Sequence, residues 1–396
     1  MKLGIYGGAF NPPHLGHVRA AACGAEVLGL SKVLLIPTNI SPHKQSPYNT
    51  ASAAQRLQML EIATCNREKL QVSDIEIARG GQSYTYETVL QLRQENPDAE
   101  LTLFMGTDMF LTLLQWRNPQ IILENTAIGV FYRGERHEKE QVAKQADQLR
   151  QMGATVHLIE NPVTQISSTV LRSLLVFGCA GDYLPEGVED YIRKEGLYGT
   201  GQKYKDLSLQ ELERAVSAFV KPERMAHVLG CRDMALSLAE KWGADPIMAQ
   251  RAALLHDITK ALDGPTQLTL CAGFGILLDD FSRKHPKTLH AYTGSLVAER
   301  IFGECPEVVQ AIASHTTGKP GMHLLDQIIY IADNMEMTRT YPGVEKVRSL
   351  AFENLEAAVK LGLSNTIENL KSRNEGIHPQ GLATLHWLKE KERKLC

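Results

Sequence analysis

The chain predicts two folds in series, a doubly wound parallel α/β sheet followed by an all-α domain. Three observations carry this reading. Up to about Tyr198, short apolar runs alternate with stretches of helical periodicity, as parallel strands joined by crossover helices require. Gly199-Thr200-Gly201-Gln202 then interrupts the chain with linker composition. Beyond it almost every segment reads helical, opened by Ser208 and Glu211 in the S-x-x-E spacing of a capping box.

Taken in order, Leu3-Gly4-Ile5-Tyr6 is the opening strand. Further strands fall at Val33–Pro37, Leu70–Ile77, Leu101–Met105, Ala127–Tyr132 and Val156–Ile159. Helices fall at Ala53–Cys65, Thr85–Asn96, Lys139–Met152 and Ser168–Val176, and in the second half at Ala235–Trp242, Met248–Leu255, Ser295–Phe302 and Leu324–Met335. The expected boundaries are a first domain over 1–198, a linker over 199–206 and a second domain over 207–396. A formal charge of only −3 argues against a nucleic-acid partner. The 7 cysteines are scattered, odd in number and never spaced C-x-x-C, which fits a reducing compartment rather than a disulfide framework. With neither a signal-peptide pattern nor an apolar run long enough to span a bilayer, the expectation is a cytoplasmic protein without a membrane partner.

The stretch Gly7-Gly-Ala-Phe-Asn-Pro-Pro-His-Leu-Gly-His17 links the first strand to an alanine-rich helical segment. A strand that turns through glycines into a helix N-terminus presents free N–H groups and the positive end of the helix dipole, so it suits phosphate. Pro12 and Pro13 stiffen the approach and are tolerated at a first helical position. His14 and His17, three apart, share a helix face and can reach one phosphate. The pattern is neither the P-loop nor the G-x-G-x-x-G dinucleotide loop, since paired histidines replace the lysine. Pro42-His43-Lys44 offers a loop lysine to a triphosphate, and Ile166-Ser167-Ser168-Thr169 with Arg172 offers hydroxyls and a guanidinium at another helix start. Gly106-Thr107-Asp108 follows a strand, with Trp116-Arg117 shortly after, and strand C-terminal ends are where ligands sit in open α/β sheets.

In this order the motifs resemble the H-x-G-H nucleotidylyltransferases, and within them the bacterial nicotinate-nucleotide adenylyltransferases. The similar segments are GGAFNPPHLGH, PHK, SYTYET, GTDMF, QWRN, ISSTVLR and LPEGVEDYIRKEGLY, over Met1 to about Tyr198. The resemblance implies a Rossmann-like domain that joins nicotinate mononucleotide to the AMP part of ATP, with magnesium, giving deamido-NAD and pyrophosphate. It implies ATP on Gly8, Ala9, Phe10, His14, His17 and the Ser167, Ser168, Thr169, Arg172 turn. It implies the pyridine mononucleotide near Thr85, Gly106, Asp108, Trp116 and Arg117, and Lys44 on phosphate. Such a reaction needs no serine or cysteine nucleophile, because the mononucleotide phosphate attacks the α-phosphorus directly and catalysis is positioning plus charge stabilisation.

The second half scatters His227, His256-Asp257, His290, His315 and Asp333 through helical, largely apolar context. Buried histidine and aspartate need partners, and helical domains build metal sites from inward side chains on facing helices. This set resembles the HD superfamily of metal-dependent phosphohydrolases. The segments RMAHVLG, LLHDITK, LHAYTG, SHTTGKPGM, YIADNME and TYPGVEKVR resemble the HD proteins that split diadenosine tetraphosphate symmetrically into two ADP. The resemblance implies one ion on His227, His256, Asp257 and Asp333, with Asp257 bridging to a second ion on His290 and His315. It favours iron, while imidazole and carboxylate also suit manganese and zinc. Lys260 and Arg339 are candidates to hold phosphate charge. The same ligand set leaves open a regulatory domain, or a hydrolase for another nucleotide such as an alarmone or a mononucleotide.

Overall fold

The computed structural model describes residues 1–40, 50–132, 136–161 and 166–395. The chain divides into two compact units, Met1–Gln202 and Lys203–Cys396.

The first unit alternates strand and helix as the periodicity requires: β1 (Lys2–Gly8), α1 (Leu15–Val27), β2 (Lys32–Pro37), α2 (Ala53–Thr64), β3 (Leu70–Val72), α3 (Ile75–Arg79) and α4 (Thr85–Glu95). Then follow β4 (Glu100–Gly106), α5 (Thr107–Leu111), α6 (Pro119–Asn125), β5 (Ala127–Tyr132), α7 (Arg136–Gln151), β6 (Val156–Glu160), α8 (Ser168–Phe177) and α9 (Val188–Lys194). The strands pair in parallel in the order β3-β2-β1-β4-β5-β6, so the winding reverses between β1 and β4. The β1–β2 ladder runs to Gly8 opposite Pro37, whereas the β1–β4 ladder ends at Ile5 opposite Leu103. The two central strands therefore lose their pairing with each other before their carboxyl ends, which is where a doubly wound sheet opens its ligand crevice.

The expected strand Leu70–Ile77 is corrected. Pairing stops at Val72, and Ile75–Arg79 turns into a short helix. Ser73 and Asp74 break the run, the Ser73 hydroxyl accepting the Ile75 N–H at 3.4 Å. Ile75 still reaches the core, but from a helix rather than a strand. The prolines also differ from expectation. Helix α1 starts at Leu15 behind a His14 cap, so Pro12 and Pro13 precede it.

One aromatic ring seats α1 on the sheet. Added Cβ atoms at Gly24 on α1, Gly129 on β5 and Gly4 on β1 would lie 2.7, 2.5 and 2.8 Å from the Phe104 ring. Those glycines let the backbones close around Phe104, which also stacks on Phe131 at 5.1 Å between centroids.

The second unit is helical: α10 (Leu209–Val216), α11 (Pro222–Trp242), α12 (Pro246–Leu255), α13 (Gly264–Gly273), α14 (Asp280–Lys284), α15 (His290–Val297), α16 (Pro306–Ser314), α17 (Leu324–Met335), α18 (Val344–Glu353), α19 (Leu355–Ser372) and α20 (Pro379–Leu395). The Ser208–Glu211 capping box forms as the spacing predicts. The expected helix Ser295–Phe302 is α-helical only to Val297 and continues as a π-helical turn over Ala298–Phe302. Tyr204 packs edge-on against Phe219 and Phe302, and Arg251 joins the Glu304 carboxylate to the Leu207 carbonyl. Helix α11 packs on α12 and α17, and α16 packs on α12, α15 and α17. Among the described residues no helix is long and apolar enough to cross a membrane.

The Phe104 seat makes a testable statement. In a strand, Gly→Ala is ordinarily mildly favourable, but Gly129→Ala drives a methyl into Phe104 and should destabilise the first unit by about 1–3 kcal/mol. Adding Phe104→Leu should recover part of that loss. Chemical denaturation followed by circular dichroism measures both, and an unchanged midpoint for Gly129→Ala contradicts the packing described.

Candidate active sites

The first site lies at the carboxyl ends of β1 and β4. His14 caps α1 and His17 stands in its first turn, so their rings stack at 3.6 Å between centroids, tilted by 28°. The His14 backbone N–H donates to His17 Nδ1 at 3.2 Å. A backbone N–H only donates, so Nδ1 of His17 is the bare nitrogen and its proton sits on Nε2. Burial lowers the His14 pKa to about 4, and burial with the neighbouring His14 holds His17 well below its ordinary value. Both rings are thus neutral near pH 7, and His17 offers an N–H donor. The buried Nδ1 of His14 has no hydrogen-bond partner among the described residues.

Phe10 takes a positive φ of 44° and sets its ring edge-on to Tyr6 and His17, at 5.8 and 5.0 Å. A Cβ at Gly8 would stand 3.2 Å from that ring, so glycine there makes room for the turn. The carbonyls of this loop are tied off from outside. Arg56 donates to the Ala9, Thr38 and Asn39 carbonyls at 2.8, 2.6 and 3.2 Å. Arg172 donates to the Asn11 carbonyl at 2.8 Å and to the Thr169 hydroxyl at 3.2 Å. Ser168 donates to the Pro12 carbonyl at 3.2 Å, and the Tyr198 hydroxyl donates to Asn11 Oδ1 at 2.7 Å. Ser167 caps α8, accepting the Val170 N–H at 3.2 Å. With its carbonyls bound to guanidinium groups, the loop turns a donor-rich, positive face to the crevice.

Gly106 ends β4 and caps α5, whose first turn carries the exposed Asp108. Trp116 packs against the sheet core with its indole N–H 3.3 Å from the Thr112 hydroxyl. Arg117 lies 4.6 Å from the centre of the Tyr84 ring, beside Thr85 at the start of α4. The SYTYET and W-R segments thus meet. Lys44, and His43 beside it, lie outside the described residues.

The second site gathers side chains from five elements. His227 comes from α11, His256 ends α12, His290 opens α15, His315 ends α16 and Asp333 comes from α17. The His227 and His256 Nε2 atoms are 3.3 Å apart, and those of His290 and His315 are 3.1 Å apart. Asp257 lies between the pairs. Its Oδ2 is 3.8 and 3.5 Å from the first pair, and its Oδ1 is 3.4 and 3.7 Å from the second. Asp333 Oδ1 stands 3.1 Å from His227 Nε2. All six expected ligands converge.

Each imidazole is held by its other nitrogen. Nδ1 of His256, His290 and His315 bonds the carbonyls of Ala253, Lys287 and Ile312, each at 2.7 Å, and Nδ1 of His227 bonds Glu336 at 3.0 Å. A carbonyl accepts only, so these rings carry their proton on Nδ1 and turn bare Nε2 atoms inward. Burial lowers His256 to about 4 and His290 well below its ordinary value, which keeps them neutral. Burial alone would raise Asp257 and Asp333, yet both carboxyls lie well below the usual range, with positive charge supplied by Lys260 near Asp257 and by Arg339 on Asp333. Bare nitrogens facing each other at such spacings, beside ionised carboxylates, form a donor set that a divalent ion satisfies. Lys260 Nζ, 3.0 Å from His290 Nε2, and Arg224 and Arg339 on Asp257 and Asp333 add positive charge around the cluster.

Sequence reasoning did not single out Glu336, Arg224, Arg56 or Tyr198. Glu336 sits inside the YIADNME segment, fully buried, accepting from His227 and from the Thr338 N–H and hydroxyl at 2.7 and 2.5 Å. Gly230, one turn after His227, makes space for it: a Cβ there would stand 2.5 Å from its Oε2. A glycine inside a helix one turn past a candidate ligand was the available signal. Arg56 had none, since arginines on helices are ordinarily solvated.

Residues 5–174 match the cytidylyltransferase-like family, and residues 224–338 match the HD domain. The chain is 36% identical over 209 residues to the probable nicotinate-nucleotide adenylyltransferase of Aeromonas salmonicida, covering 50% of this chain and 96% of that protein. It is 34% identical over 210 residues to the protein of the same description from Neisseria meningitidis serogroup B, covering 50% and 98%. Among solved structures, one described as a predicted HD superfamily hydrolase involved in NAD metabolism, from Clostridium acetobutylicum, is 31% identical. It covers 47% of this chain and 98% of that one, with a TM-score of 0.46.

Two expectations follow from the geometry. His14 has a folded pKa of about 4 against an unfolded value of 6.5, so the unfolded chain binds the extra proton between them. Its contribution to stability is present above pH 6.5 and is lost as pH falls towards 4. A His14→Asn variant should therefore lose less stability than the wild type over that window, in denaturant titrations at stepped pH. Glu336→Gln weakens the acceptor that orients His227 and should reduce divalent-ion affinity by about 10–100-fold. Competition with a chromophoric chelator reads that change, and unaltered affinity counts against Glu336 as the orienting group.

Proposed function

The chain belongs, through its first unit, to the nicotinate-nucleotide adenylyltransferase family, and on that premise we propose a bifunctional nucleotide enzyme. The first unit transfers AMP from ATP to nicotinate mononucleotide, and the second hydrolyses diadenosine tetraphosphate to two ADP.

In the transfer, an oxygen of the mononucleotide phosphate bonds to the α-phosphorus of ATP as the bond to the pyrophosphate oxygen breaks. His17 donates Nε2–H to the phosphate on which charge develops, and the α1 N-terminus adds backbone donors. His14 stacks on His17 and keeps it in register. Arg172 and Ser168 fix the Asn11–Pro12 segment, while Arg172 keeps donors to spare for phosphate. Gly106, Asp108, Thr85, Trp116 and Arg117 form the pyridine-nucleotide side, a placement supported by their position at the end of β4 and by the Arg117–Tyr84 contact. Magnesium accompanies the triphosphate and binds largely through phosphate and water oxygens.

In the second unit, His227, His256, Asp257 and Asp333 would hold one divalent ion, and His290, His315 and Asp257 another. Ions held there would neutralise phosphate charge and lower the pKa of a bound water. Lys260, Arg224 and Arg339 attract the polyphosphate. The observation that carries the hydrolase reading is Asp257, with one oxygen toward each histidine pair. The choice of a tetraphosphate, and of iron, rests on the resemblance of the segments around these ligands.

The test is one purified full-length protein and two variants. His17→Ala should lower adenylyl transfer by about 100- to 1,000-fold with a modest change in ATP affinity, leaving hydrolysis intact. His256→Ala should abolish release of ADP from diadenosine tetraphosphate and leave transfer intact. Turnover of another nucleotide in preference to the tetraphosphate overturns the substrate, and bound ions without turnover of any nucleotide overturn the hydrolase.

A further inference from the structure

We propose that Arg56 is a positioning residue for adenylyl transfer, holding the loop before α1 and the mononucleotide side of the crevice in fixed relation; the inference rests on the transfer reading of the first unit. Arg56 is the fourth residue of α2, whose start is set by the Ser52–Gln55 capping box. It is buried, and a buried guanidinium is costly unless its donors find acceptors. Its acceptors are three backbone carbonyls from two loops. Nη1 donates to Ala9, the residue after β1, and Nη2 to Thr38 and Asn39, the residues after β2. The last bond between those strands runs from the Thr38 N–H to the Gly8 carbonyl at 3.0 Å. Beyond it the fork of Arg56 takes over from the ladder, one nitrogen to each chain, which a lysine ammonium cannot reproduce. The Ala9 carbonyl belongs to the rigid peptide that enters Phe10 at a φ of 44°, so its bond to Arg56 fixes the turn that leads to His14 and His17.

Asn39 is tied in turn to the other side of the crevice. Its backbone N–H donates to the Ser83 hydroxyl at 2.9 Å and its Nδ2 to the Gly81 carbonyl at 3.0 Å, while the Ser83 N–H donates to the Ile40 carbonyl at 3.0 Å. Ser83 directly precedes Tyr84, which meets Arg117, and Thr85, which opens α4. A continuous run of hydrogen bonds thus joins the loop before α1 to the start of α4 through one guanidinium. In-line attack needs both substrates in a single geometry, and a misplacement of about 1 Å costs about 100-fold in rate. Each loop keeps other supports when the fork is lost: Arg172, Ser168 and Tyr198 on the Asn11–Pro12 segment, and the Ile40 carbonyl on Ser83. Removing Arg56 therefore spares the binding of either substrate and spoils their alignment.

The test is steady-state transfer by the full chain, with ATP and nicotinate mononucleotide each varied, in Arg56→Lys, Ser83→Ala and the double variant, with far-ultraviolet dichroism as the check on folding. Arg56→Lys should lower kcat by about 10- to 100-fold with little change in either KM. Ser83→Ala, which keeps the bond to Ile40, should act in the same direction by less. The double variant should lose no more than Arg56→Lys alone, since both changes break one chain of bonds. Unaltered kcat in a folded Arg56→Lys overturns the inference, and unaltered kcat in Ser83→Ala does so if Arg56→Lys fails to fold. Additive losses in the double variant, or a raised KM at wild-type kcat, overturn it too. Absence of transfer by the wild type overturns the transfer reading and this inference together.

Discussion

Nδ1 of His17 accepts a backbone N–H, whereas Nδ1 of His256, His290 and His315 each donates to the carbonyl three residues earlier. That difference sets what each imidazole offers on its far side, and both sites depend on it. Beside the crevice of the sheet, Nε2 is a donor suited to phosphate oxygen. In the helical unit, Nε2 is an acceptor suited to a cation. The helices supply the second arrangement without further parts, because His256 and His315 stand where α12 and α16 end and carbonyls there lack an i+4 partner. The side chain adds a bond to a carbonyl of the last turn and is oriented by it.

Much of this was legible in the sequence because function and fold made the same demands on residue type. The glycine–histidine loop announced itself after the first strand, and the six candidate ligands of the second unit stood out because histidine and aspartate rarely recur among apolar helix positions without a shared purpose. What stayed hidden belongs to geometry that residue type does not encode. The proton position on His17 follows from its being the third residue after a cap, and no pattern says that the cap is His14 rather than a proline. Arg56 reads as a surface helix residue until α2 turns it beneath the Ala9 carbonyl. The run Leu70–Ile77 failed as a strand because Ile75 and Ile77 keep its apolar character while the Ser73 hydroxyl bonds the local backbone at Ile75.

Charge burial explains the ring of cations around the second site. Asp257 and Asp333 are ionised against the cost of burial, which is tolerable only with positive or dipolar partners close by. Arg224, Arg339 and Lys260 lie there. On the reading proposed above the same groups would also receive a phosphate chain, since it and a carboxylate ask for the same donors.

The two units present histidines of opposite polarity. The sheet crevice presents the Nε2 donor of a neutral His17 and the N-terminus of α1, groups suited to a triphosphate. The helical site presents bare nitrogens and carboxylates, groups that repel a phosphate unless cations intervene. On the bifunctional reading proposed above, selectivity between joining and cleaving adenylates comes from which atom of histidine faces the ligand. A cationic intermediary is needed at one site for the protein and at the other only for the nucleotide. The dependence on resident ions should therefore separate the two activities more cleanly than any difference in their affinity for adenine.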